Sequence, residues 1–147
     1  MRLKYFHLCR MISVLLLVGF LSGCAAKKGD YFSETLKAKE GSSTLYIYRP
    51  WAFTEGGASF PIIVNNTRIA PELSNQSYLT YVTKPGPVKI HTDTQHIDTV
   101  LEFNAEAGKI YFVGISVKSY FLVFEQVPYL IDENLALEEL KKCQKAL

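Results

Sequence analysis

The sequence predicts an all-β domain, an antiparallel β-sandwich of about seven or eight strands with a C-terminal α-helix. Three observations predict it. From Thr44 onward, short runs of Tyr, Val, Ile, Phe and Thr recur every ten residues or so between Gly, Pro and Asn. Several runs alternate apolar with polar residues, as a strand with one buried face does. From Asp132 the period changes to that of a helix.

Thr44 to Arg49 is the first strand, closed by Pro50, which has no N–H for a neighbouring ladder. Residues 51–59 (WAFTEGGAS) form a loop with freedom at Gly56-Gly57. Phe60 to Val64 and Arg68 to Leu73 flank Asn65-Asn66, and asparagine tolerates the positive φ of a tight hairpin. Gln76 to Thr83 is the next strand, ended by Lys84-Pro85-Gly86-Pro87. Val88 to Thr92 sets Val88 and Ile90 against Lys89 and His91, one face buried and one wet. Thr99 to Phe103 follows, then a turn at Ala105 to Gly108. Ile110 to Lys118 and Phe121 to Val127 are apolar on both faces apart from Glu125 and Gln126, which predicts a central hairpin needing cover on its outer side. Asp132 is the expected N-cap of a helix through Leu147, with Glu138 and Lys142 at i,i+4 and an apolar face of Leu137, Leu140 and Leu147.

The chain before this domain reads as an export device. Arg2, Lys4 and Arg10 are followed by an apolar run from Met11 to Phe20, about ten residues and too short to span a bilayer of roughly 30 Å. Leu21-Ser22-Gly23-Cys24 resembles the bacterial lipobox at all four positions. That resemblance implies a diacylglycerol thioether on Cys24, cleavage before it, and acylation, palmitate for example, of the new amine. Two or three acyl chains hold stably where one does not. Ala25 in place of Asp favours the outer membrane over inner-membrane retention, by the same analogy. The expected organisation is a signal peptide over 1–23, a lipidated cysteine and flexible tether over 24–43, a sandwich over 44–131 and a helix over 132–147. As a coil of about twenty residues the tether would reach roughly 25 Å.

Without Arg2, Lys4 and Arg10 the mature chain has thirteen basic side chains against fourteen acidic. With no Lys/Arg run besides, there is no footprint for nucleic acid. Cys143 is left without an intramolecular partner once Cys9 is removed and Cys24 lipidated. Its spacing from Ala136 and Leu140 predicts a buried thiol.

The motifs of the domain are Tyr46-Ile47-Tyr48-Arg49-Pro50, the Asn65-Asn66 hairpin, Ser77-Tyr78, Pro85-Gly86 and Ala107-Gly108-Lys109-Ile110-Tyr111-Phe112. Over Thr44 to Val127 they resemble a family of bacterial lipoproteins classed as a domain of unknown function. Asn66 stands where that family often has Gly, and Phe112 replaces a Tyr. The hairpin and Pro-Gly segment are also similar to PEGA-type surface domains, which implies a sandwich.

No Gly-Xaa-Ser-Xaa-Gly, His-Glu-Xaa-Xaa-His or paired cysteines announce catalysis, and no cofactor is expected. His91, His96 and Asp93, with Asp98 nearby, are the metal-ligand candidates. Arg49 with Trp51 and Phe53 is the candidate binding surface: a guanidinium beside aromatics suits a carboxylate or phosphate. The expected function is a non-catalytic, lipid-anchored envelope lipoprotein facing the periplasm, binding an envelope protein or polymer. The alternatives are a small metal protein or enzyme built on the histidines, and a self-associating structural protein joined through the helix or Cys143.

Overall fold

A computed structural model describes residues 27–92, 99–120 and 123–147. The leader, Cys24, Asp93, His96 and Asp98 lie outside the described residues. The strands are β1 (Lys28–Tyr31), β2 (Ser43–Arg49), β3 (Phe60–Val64), β4 (Thr67–Leu73), β5 (Ser77–Thr83), β6 (Gly86–Thr92), β7 (Val100–Ala105), β8 (Ile110–Tyr120), β9 (Val123–Ile131) and β10 (Gln144–Ala146). One helix, α1 (Glu133–Leu140), precedes β10.

The strands form two sheets, one in the order β1-β10-β5-β2-β8-β9 and the other β4-β3-β6-β7. The β3–β4 hairpin turns at Asn65 and Asn66, both left-handed at φ 47° and 63°, as the sequence predicts. Asn65 also locks the turn to β6: Lys89 N donates to its Oδ1 at 2.8 Å.

Every residue of β2 is buried, and its two faces meet different material. Leu45 and Ile47 point between the sheets into a core with Ile62, Val64, Leu73, Val88, Ile90, Val113 and Ile115. Tyr46 and Tyr48 point the other way and pack with Phe112 under Phe32, Ala136, Leu140 and Cys143. The outer face is thus covered by the segment before β2 and by the segment after β9. Phe32 stands edge-on to Tyr46 and Tyr78, with ring centroids 5.7 and 5.5 Å away.

Four expectations are corrected. The larger sheet is mixed, since β2 runs parallel to β8 and β10 parallel to β5. The β8–β9 hairpin is not central: β2 holds that place and β9 is an edge strand, in keeping with the polar pair Glu125-Gln126. Residues 28–32 of the expected tether are not free chain, because β1 pairs with β10 and Phe32 is buried. The helix also stops at Leu140 rather than Leu147. Asp132 does cap it, its side chain accepting from Asn134 N at 3.0 Å. Its last turn then tightens, with Lys142 N donating to Glu139 O and Cys143 N to Leu140 O, and Gln144 N donates across to Gln76 O at 3.0 Å. A continued helix would leave the edge of β5 unpaired; the strand satisfies that edge and buries Ala146.

Gly114 lies opposite Tyr129 in β9, and the Tyr129 ring occupies the space above it. A Cβ there would sit 2.4 Å from Tyr129 Cζ, which explains a glycine in the middle of an otherwise bulky strand.

Candidate functional site

β2 alternates, so Arg49 follows Leu45 and Ile47 onto the inner face at the strand's end. There it is fully buried. A buried guanidinium must spend its donors locally. Nη1 donates to Ala58 O at 2.9 Å, and Nη2 donates to Glu55 O at 2.8 Å and to Thr54 O at 3.3 Å. Its plane lies over Phe60, with Cζ 5.0 Å from the ring centroid. Burial lowers the guanidinium's pKa from its usual value, and the charge of Glu55 acts in the opposite sense. Arg49 is therefore a strut inside the loop 50–59. The outward-facing carboxylate or phosphate hand expected from the sequence is corrected by this burial.

The rest of the loop is fastened from two other elements, one of them braced in turn by β1. Asn75, in the turn before β5, grips both backbone groups of one residue: Ala52 N donates to its Oδ1 and its Nδ2 donates to Ala52 O, each at 2.9 Å. Gln126 of β9 donates from Nε2 to Glu55 Oε2 at 2.6 Å. Lys28 of β1 donates from Nζ to Asn75 O. Within the loop, Gly56 N donates to Phe53 O and Ala58 N to Glu55 O. Glu55 takes a left-handed φ of 52°, a strain of about 1 kcal/mol that these bonds hold in place. Arg49 Nε and Gln126 Oε1 are buried and without a partner among the described groups.

With the backbone of Ala52, Thr54, Glu55 and Ala58 fixed, the large apolar side chains left outside are Trp51, 63 % exposed, and Phe53, 88 % exposed. The structure thus splits the sequence-predicted trio: Arg49 is internal, and the two aromatics form the accessible surface. Asn75, Glu55 and Gln126 had no place in the sequence reading of the site. Their local signals were that Asn75 falls in a turn and that Gln126 interrupts an apolar strand; the contacts they make span 23 and 71 residues of chain.

The remaining candidates are placed as follows. His91 is half-buried on β6, opposite Ile63 and Val100; its expected companions are outside the described residues. Among the described residues no three His, Cys, Asp or Glu side chains gather as a metal site. Cys143 is fully buried, and burial followed by the charge of Glu139 pushes its thiol up to about 12. Tyr48 beneath α1 donates to Glu139 Oε2 at 2.7 Å, and burial and that bond raise its phenol above the usual value. A surface depression of about 420 Å³ lies against β6 and β7, its lining including Asn65, Phe103 and the ion-paired Lys89 and Glu102. No helix among the described residues is long and apolar enough to cross a membrane.

Fold and site together define a two-sheet β-sandwich module with one internally strutted, aromatic-tipped loop. The chain belongs to the family described as protein of unknown function (DUF2846), which matches residues 39–126. No curated protein and no solved structure matches it.

Proposed function

We propose that this chain is a lipid-anchored, non-catalytic module of the bacterial cell envelope, held in the outer membrane through Cys24 and facing the periplasm, that binds through the Trp51–Phe53 loop. The address is supported by the charged leader, the short apolar run and the four-position lipobox likeness. The observation that carries the binding role is the fixed loop. Its backbone is tied at four residues while two large aromatic side chains stay in water. Apolar side chains held in a set position lose little freedom when they meet a surface, so binding keeps more of its burial energy.

The test is acyl labelling of cells carrying the full chain, followed by separation of inner and outer membranes. Label in the outer-membrane fraction, lost in Cys24→Ser with accumulation of uncleaved precursor, is the expected result. A Cys24→Ser chain that still takes up label, or a native chain that takes up none, overturns the anchor.

A further inference from the structure

We infer that the surface touched by the Trp51–Phe53 loop is the lipid bilayer that carries the anchor itself. This rests on the anchored reading above and deepens it. The argument starts from how little free chain precedes the domain. Because β1 begins at Lys28 and pairs with β10, only three residues separate Cys24 from Lys28, and the four Cα-to-Cα steps between them reach about 14 Å even when fully extended. A free tether to residue 43 would have let the domain stand off. This one keeps the β1 side of the domain at the lipid surface.

The aromatic loop lies on that side. Asn75 joins the two: its carbonyl accepts from Lys28 Nζ, and its amide grips Ala52, which sits between Trp51 and Phe53. The neighbouring surface has matching chemistry. Leu147, 58 % exposed, lies over Gly29, where a Cβ would meet its Cδ2 at 3.4 Å. Lys145 adjoins the same glycine, and Lys27 is exposed next to Lys28. Indole and phenyl rings, an aliphatic chain end and ammonium groups around one strand are what an anionic headgroup boundary accommodates: rings at the depth of the glycerol, charges among the phosphates. A protein partner would have to share the narrow space that so short a tether leaves at this edge.

Trp51 is the only tryptophan in the chain, so the protein carries its own probe. The experiment uses the full mature chain purified from membranes and reconstituted in phosphatidylethanolamine–phosphatidylglycerol vesicles, with acylation of Cys24 read by mass spectrometry and attachment by flotation. Trp51 emission is compared with and without lipids brominated near the glycerol end of the acyl chain, and with aqueous iodide. Expected are a blue-shifted emission, a loss of intensity with bromolipid, and protection from iodide. Phe53→Ser should weaken the bromolipid loss while leaving acylation and flotation unchanged. An acylated, floating chain whose Trp51 ignores bromolipid and is quenched by iodide overturns the inference and leaves the anchor standing. The inference is equally overturned if iodide protection arises only when an envelope protein fraction is added. A chain neither acylated nor floating overturns the anchor, and the inference falls with it.

Discussion

The two faces of β2 are buried to the same degree by unlike means. On the inner face Leu45 and Ile47 meet aliphatic side chains from both sheets, and all the buried members of that cluster lie within residues 39–126, the segment the family match covers. On the outer face Tyr46 and Tyr48 meet Phe32, Ala136, Leu140 and Cys143, all from outside that segment. The inner core is closed at its end by a buried arginine that shapes a loop; the outer one is closed by β1 pairing with β10. The difference teaches that the sandwich and its cover are separate layers joined through one strand. It also shows why residues 28–32 are not free chain: the cover consumes them.

The contrast can be broken most sharply by cavities on each side. Ile47→Ala should cost about 4 kcal/mol in urea unfolding, and Leu140→Ala, under a thinner layer, about 3 kcal/mol. A larger loss at Leu140 would reverse the ranking of the two cores. Arg49→Ala leaves the carbonyls of Thr54 and Ala58 without donors, removes one of the two donors to Glu55 O, and should cost about 3 kcal/mol. It should also lower the fluorescence anisotropy of Trp51; unchanged anisotropy would mean the loop is fixed by Asn75 and Gln126 alone.

Cys143 sharpens the outer side. Its folded thiol titrates near 12 against an ordinary 9.0, so the neutral thiol is favoured by folding. That stabilisation is complete below pH 9 and is lost as pH rises through the window up to 12, at about 1.4 kcal/mol per pH unit. Cys143→Ala should therefore show a shallower alkaline loss of stability than the native chain, and equal slopes would contradict the burial. The smallest effect belongs to the exposed aromatics: Trp51→Ala with Phe53→Ala should leave stability within about 0.5 kcal/mol in the absence of lipid, measured by thermal unfolding.

Much of the sandwich was legible because its signals are local. Asn65-Asn66 fixes a hairpin, Pro50 ends β2, and alternating Val88 and Ile90 give β6 one buried face. What was hidden depends on partners far along the chain. Gln144 to Ala146 carries no strand signal in three residues; it extends because β5 offers an open edge. Lys28 to Tyr31 reads as polar linker; Tyr31, Phe32 and Leu36 suggest a short turn on the membrane or the domain, and of these Phe32 is the one buried. Arg49 reads as a surface charge at a strand end. The parity of β2 places it with Leu45 and Ile47 on the inner face, and that parity was available in the sequence. The partners that make its burial tolerable, the backbone carbonyls of a loop, have no sequence signature. The companions proposed for His91 fall outside the described residues.

The central claim is that residues 28–32 belong to the folded domain, since this covers the outer core and is the premise of the proposed membrane contact. Native-state hydrogen exchange on the full mature chain tests it most directly. The account predicts that the amides of β1, Phe32 and β10 are protected together, opening as one unit at a free energy below that of β2 and β8. Amides of residues 28–32 exchanging at the rate of an unstructured peptide would contradict it and restore a flexible tether.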